Sequence, residues 1–467
     1  MCTQVDPCWN NRGMCATENP TDNDNSSLDT SSHNNALKDS TSHSNPQNLT
    51  NSTPTNSHDA RIPAPQGVID QTPVWDLAGS SYSKYRTLSA ILPGLSSALG
   101  HPVATATQTD PQTCQSALAI PRVSSAVVIL VDGLGYFNLK AKREHAPFLA
   151  SLLGDDSSFA EQDKTHSLRT CYPSTTTAAL ATLGTGTCPG LTGMLGYTQL
   201  NPRTHRITQM IKFKGAIPPA DLQREPTVFE RLSAQSVRVS NVSLPEFKGT
   251  PMTEACLRGA DFVAENKLDK QAQKVVELAG QPGLTYWYLR EVDKAGHHYG
   301  WFSREWAQAL EQVDNLIHTV ANSLPKGTFL CVSADHGMVE TDLTRQIDIA
   351  KNPALQDGIQ LVAGEPRALM LYMKKSASVD AVVQRWRQEV GKVATVMSKQ
   401  EAIDSRLYGY STPRIEEMLG DVLVYCHEDV TIVDSRFQKQ PAMQMPGVHG
   451  SMTRLEATIP WLTMLTE

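Results

Sequence analysis

Five short stretches of the sequence stand out: four carry carboxylates or imidazoles of the types that bind metal ions, and the fifth holds a cluster of hydroxyls. Asp132 closes a continuous apolar run. Asp293 and His297 stand four residues apart, so one helical turn would put both on the same face. Asp335 and His336 are adjacent after another apolar run, and His449 sits between glycines in Pro446-Gly-Val-His-Gly450. Thr176 belongs to Tyr172-Pro-Ser-Thr-Thr-Thr-Ala178, just before a small-residue segment that can open a helix. Singly, each has an ordinary reading, such as a turn aspartate or a surface acid–histidine pair. Taken together, carboxylates and imidazoles form a donor set that suits zinc and leaves a coordination position for substrate. Manganese or iron accept the same donors. A threonine hydroxyl is a weak nucleophile, and a bound divalent ion stabilises its alkoxide without a histidine base.

The elements that must position these residues can be read from the apolar runs. Ser125–Val131 is apolar throughout after its first residue, as suits a strand buried on both faces. Val237–Val242, Leu284–Leu289 and Thr328–Val332 are of the same kind, and Ser303–Leu324 and Tyr85–Leu99 have a helical rhythm. Strands alternating with helices predict an α/β fold, a central mainly parallel β-sheet sandwiched by helices. In such sheets ligands bind beyond the carboxyl ends of the strands, where Asp132, Asp293, His297, Asp335 and His336 fall. Residues 199–281 and 340–444 are expected as elaborations at the sheet edge. Residues 1–73 form a polar tail, rich in Asn, Ser, Thr and Asp from Thr21 to Ala60, which is expected to be disordered. Its histidines His33, His43 and His58 read as part of a solvated tail, and the ordered domain is expected over 74–467.

Val131-Asp-Gly, Tyr172-Pro-Ser-Thr-Thr-Thr, Asp293-Lys-Ala-Gly-His297, Ser333-Ala-Asp-His-Gly-Met338 and Gly447-Val-His-Gly450 occur in this order. Together they resemble the nucleotide pyrophosphatase/phosphodiesterase branch of the alkaline phosphatase superfamily, over about residues 123–465. The resemblance implies two divalent ions, expected as zinc. Asp293, His297 and His449 would hold one, and Asp132, Asp335 and His336 the other, with Thr176 beside it. It also implies a covalent phosphothreonine intermediate, with ions about 4 Å apart clamping the attacking and leaving oxygens. The family motif Pro-x-x-Thr selects Thr176 over Thr175 and Thr177. In one respect the sequence departs from the family: the asparagine three residues after the nucleophile is Ala179 here, which bears on substrate class.

The expected activity is that of a phosphodiesterase or nucleotide pyrophosphatase, with a phosphomonoesterase or phosphonate hydrolase as the alternative. A sulfatase is disfavoured, because Cys171-Tyr-Pro-Ser-Thr175 lacks the arginine of the sulfatase sequence Cys-x-Pro-x-Arg. A binding protein that has lost activity is disfavoured because every implied ligand is present. Among the aromatic residues Tyr197, Tyr286, Trp287, Tyr288, Tyr299 and Trp301, Tyr197 is the expected substrate contact.

Composition limits the partners. A net charge of −7 gives no electrostatic footprint for nucleic acid or anionic membrane. The expected partner is a small-molecule phosphate ester, with nucleotides among the candidates; nothing in the sequence fixes an oligomeric state. Nine scattered cysteines without a CxxC pair read as reduced thiols. With no signal-like N-terminus and no run of roughly 18 apolar residues, the expected compartment is the cytoplasm.

Overall fold

The computed structural model describes residues 85–153 and 165–467. The tail expected over residues 1–73 and the ordered start expected near Val74 lie outside the described residues.

The apolar runs become strands of one sheet. In chain order these are β1 (Ser125–Val131), β2 (Val239–Ser243), β3 (Asp261–Ala264), β4 (Gly283–Leu289) and β5 (Thr328–Ser333), followed by a last strand, Leu462–Leu465. Across the sheet the order is Leu462–Leu465, β5, β1, β4, β2, β3. β1 to β5 pair in parallel, and only the last strand runs antiparallel, against β5. β1 and β5 are buried at every position, as strands covered on both faces must be. The register pairs Val131 with Leu289 and Leu130 with Ser333. The carboxyl ends of β4, β1 and β5 are therefore level, and the residues that follow them share one rim.

Helices flank the sheet. α1 (Ile91–Ala98) is preceded by a 3-10 turn at Leu88–Ala90. α2 (Thr176–Thr185), α3 (Leu268–Ala279), α4 (Glu291–Tyr299) and α5 (Arg304–Ser323) follow. α5 begins where the sequence predicts, because the Ser303 hydroxyl accepts from the Trp306 N–H and caps the first turn. Its buried face, Trp306, Leu310, Val313, Ile317 and Val320, repeats every three or four residues and packs toward α3 and α4. Each such side chain contributes about 1.5–3 kcal/mol on burial.

The stretch 199–281, expected to cover the sheet edge, contains β2, β3 and α3, so part of it is the sheet itself. β3 is short and half-exposed, and therefore leaves no continuous apolar run in the sequence. The stretch 340–444 carries a second sheet made of β6 (Ile359–Glu365), β7 (Ala368–Met373), β8 (Ala394–Ser398) and β9 (Val422–Cys426). It is wholly antiparallel, in the order β6-β7-β9-β8. α6 (Val379–Val390) covers it through Trp386, which joins Leu369, Leu371, Val422 and Val424 in a separate core. A short antiparallel ladder of Val339–Glu340 with Gly447–Val448 draws the segment after His336 against the one before His449. Among the described residues no helix is long and apolar enough to cross a membrane.

Candidate metal and nucleophile site

The rim gathers the six side chains expected as metal ligands. The Asp132 N–H donates to the Leu289 carbonyl (2.8 Å), continuing the β1–β4 ladder, and the Asp293 N–H donates to the Asp132 carbonyl (3.1 Å). This seats the first turn of α4 on the end of β1. Gly133, at φ +70°, permits that approach, since a Cβ there would lie 2.9 Å from the Asp293 Cα. From the other neighbour, Asp335 Oδ1 accepts the N–H groups of Gly133 (3.1 Å) and His336 (3.0 Å).

The three imidazoles are oriented in one way. His297 Nδ1 faces the Gly447 carbonyl (2.8 Å), His336 Nδ1 that of Gly337 (3.0 Å) and His449 Nδ1 that of Ser174 (2.8 Å). A carbonyl oxygen only accepts, so each Nδ1 holds the proton and each Nε2 presents its lone pair to the site. This is the tautomer that metal-ligating histidines adopt when their other nitrogen is anchored.

His297 Nε2 lies 3.4 Å from Asp293 Oδ2 and 3.3 Å from His449 Nε2, and Asp293 Oδ1 is 3.8 Å from His449 Nε2. His336 Nε2 lies 3.5 Å from Asp132 Oδ1 and 3.3 Å from Asp335 Oδ2. The structure thus brings together all six residues expected as ligands. Asp132, Asp335 and His336 form one compact group, and Asp293, His336 and His449 a second, each with ligand atoms within 4.8 Å of one another. His336 belongs to both, so the division by ion is less sharp than the sequence suggested.

The donor chemistry fits divalent cations. Asp132 Oδ1, Asp293 Oδ1 and Asp335 Oδ2 are buried without a hydrogen bond among the described residues. Facing imidazole lone pairs and orphaned carboxylate oxygens repel unless positive charge lies between them. Burial pushes the carboxyls of Asp293 and Asp335 up to about 7. Asp132 is also raised, by burial first and then by the Asp335 charge. Burial lowers the His336 imidazole to about 4, and burial with the neighbouring histidines lowers His449 further from its ordinary value.

Thr176 is the first residue of α2, and its Oγ1 lies 3.2 Å from His336 Nε2. Its two neighbours are both buried. Thr175 is buried at the cap, and the buried Thr177 hydroxyl donates to the Gly196 carbonyl (2.9 Å). Of the three threonines only Thr176 is partly open.

Tyr197 joins this framework through the second sheet. Its N–H donates to Glu365 Oε2 (2.8 Å) and its hydroxyl accepts from Gln209 Nε2 (2.7 Å). The Glu365 side chain in turn lies against Gly450, next to His449. Of the other aromatics, Tyr286, Trp287 and Trp301 are core residues and Tyr299 is exposed. Tyr288 touches the site directly, its hydroxyl donating to Asp132 Oδ2. Sequence reasoning named Tyr288 only within a group. It missed Glu365, as well as Arg367 and Glu456, which form a buried pair behind the site. The departure at Ala179 is also structural: the residue is wholly buried in α2 and offers no side-chain donor.

With this geometry in place, comparisons with known proteins identify the class. The type I phosphodiesterase / nucleotide pyrophosphatase family matches residues 126–452, and the chain belongs to it. Murine ectonucleotide pyrophosphatase / phosphodiesterase 5 has a similar fold, with a TM-score of 0.57 at 16% identity, over 72% of this chain and 87% of that one. An inactive form of the murine protein in complex with AMP gives a TM-score of 0.56 at 15% identity, over 72% of this chain and 87% of that one. Phosphonoacetate hydrolase from Sinorhizobium meliloti, in complex with phosphonoformate, gives 0.55 at 17% identity, over 73% and 90%. A search of curated proteins found no match. At these identities the structural likeness shows the fold, of the alkaline phosphatase type, and family membership supports phosphoester hydrolysis as the class of activity.

Proposed function

We propose that the chain is a two-metal phosphodiesterase or nucleotide pyrophosphatase in which Thr176 is the nucleophile. The observation that carries this reading is the position of Thr176 Oγ1 at the mouth of a buried cluster of three carboxylates and three imidazoles. Asp293, His297 and His449 would hold one ion and Asp132, Asp335 and His336 the other, with zinc the expected metal and manganese or iron compatible. When bound, the ions supply positive charge that lowers the cost of the threonine alkoxide and of the departing oxygen. The Thr176 hydroxyl releases its proton to water, Oγ1 bonds to phosphorus, and the bond to the leaving ester oxygen breaks. Water then cleaves the phosphothreonine. The amino end of α2 presents backbone N–H groups beside Thr176, which favours the phosphoryl oxygens there.

A second reading, a phosphomonoesterase or phosphonate hydrolase on the same residues, is favoured by one observation. The buried methyl of Ala179 supplies no donor where the phosphodiesterases of the family carry an amide.

Hydrolysis of bis-p-nitrophenyl phosphate, p-nitrophenyl phosphate and p-nitrophenyl sulfate, before and after chelation, tests the proposal. Chelator-sensitive preference for the diester is the expected result. Preference for the monoester favours the second reading, and turnover that survives complete metal removal overturns both.

A further inference from the structure

Glu456 is fully buried and uses its carboxylate completely. Oε1 accepts from Arg367 Nε (2.7 Å) and the Ser451 N–H (3.0 Å), while Oε2 accepts from Arg367 Nη2 (2.9 Å) and the Thr453 hydroxyl (2.5 Å). A carboxylate offers about four acceptor positions, and all are taken. Arg367 is likewise fully buried, and its Nη1 donates to the Val430 carbonyl (2.7 Å). It extends from the β6–β7 hairpin of the second sheet, one residue before β7.

A buried ion pair is a poor way to gain stability, because an apolar pair of similar volume often does as well or better. What this pair holds is more informative. Ser451 is two residues beyond His449. The backbone carbonyl of Glu456 accepts the N–H of Gly337 (2.9 Å), the residue after His336. One residue thus fixes the loop bearing His449 through its side chain and the turn bearing His336 through its main chain. Between those two grips the His336 and His449 rings stack, with centroids 3.5 Å apart and planes at 16°.

We infer that Glu456, neutralised by Arg367, is a positioning residue that couples the two metal groups by setting His449 and His336 in one frame anchored to the second sheet. The inference rests on the two-metal reading above. It implies that loosening Glu456 weakens both ions together, since His449 would serve one ion and His336 the other.

The test is titration of zinc into chelator-stripped protein, with the visible spectrum of the cobalt-substituted protein as a second readout. Glu456→Gln keeps the shape and one acceptor oxygen but loses the charge-assisted pair. The expected result is a folded protein by circular dichroism whose affinity for both ions falls about 10–100-fold, the scale on which residues supporting metal ligands act. Its cobalt spectrum should also change. A merely structural role would lower the melting temperature and leave affinities and spectrum unchanged. If Glu456→Gln does not fold, Thr453→Val removes one hydroxyl donor alone and should shift both affinities several-fold in the same direction. Unchanged binding in the folded variant, or weakening of one ion only, overturns the coupling. Wild-type protein that binds neither ion overturns the two-metal reading itself, so the two failures are distinguishable.

Discussion

Thr176 and His336 reach each other from opposite sides, one opening a helix and the other following a buried strand, with Oγ1 and Nε2 3.2 Å apart. A hydroxyl held there is placed to share a metal ion with the imidazole. Thr176→Ala should lower hydrolysis roughly a thousandfold or more while the protein still binds zinc. Thr176→Ser should retain measurable turnover. Steady-state kinetics with metal analysis checks both, and substantial activity in the alanine variant would remove Thr176 as nucleophile.

Metal binding should displace protons at acidic pH. In the metal-free protein Asp293 and Asp335 titrate at about 7, so at pH 6 both carboxyls are largely protonated and at pH 8 largely ionised. His336, lowered to about 4, is neutral at both and adds nothing. Zinc needs the carboxylates ionised, so binding at pH 6 should release more protons than at pH 8 and be correspondingly weaker. Calorimetry in buffers of different ionisation enthalpy reads the proton count directly. Equal release at the two pH values would contradict the raised carboxyls.

Two glycines with positive φ should respond differently to alanine. At Gly450 (φ +132°) a Cβ would come 2.6 Å from Glu365 Cγ, beside His449. At Gly249 (φ +65°) nothing lies within 4 Å. Gly249→Ala should cost only the conformational term, about 1 kcal/mol, whereas Gly450→Ala should cost about 2–3 kcal/mol and also weaken zinc binding. Thermal denaturation and metal titration separate the two contributions.

Cys171 occupies the position that a sulfatase would oxidise, but here its buried thiol donates to the Pro173 carbonyl (3.5 Å) and burial pushes it up to about 12. Such a thiol is inert. Cys171→Ala should keep phosphoester hydrolysis within about threefold, and intact-mass measurement should find no formylglycine. Sulfate ester turnover lost in this variant would reopen the sulfatase reading.

The sequence made the rim legible because β1, β4 and β5 are continuous apolar runs, and the residues closing them are the ones that converge. α5 was legible from its helical rhythm. β3 was not, being four residues long and half-exposed. Arg367 and Glu456 were invisible for another reason. They are 89 residues apart, and a lone arginine before a strand reads as a surface charge until the chain is folded. Glu365, likewise, acquires meaning only when the second sheet meets Gly450. Pairwise contacts between distant charged residues leave no periodicity to read, whereas strand ends do.

The parallel pairing of β1 with both β4 and β5 joins segments separated by well over a hundred residues, so closing these pairs is entropically slow. Until they close, Asp132, Asp293 and Asp335 are not neighbours, and no complete cradle for an ion exists. On the two-metal reading, metal capture would therefore be a late event in the life of the chain, a latch on the finished fold rather than a seed for it. Zinc should leave the refolding rate nearly unchanged and slow unfolding, the partition expected of interactions absent from the transition state. Stopped-flow refolding and unfolding with and without zinc would show whether the latch closes last.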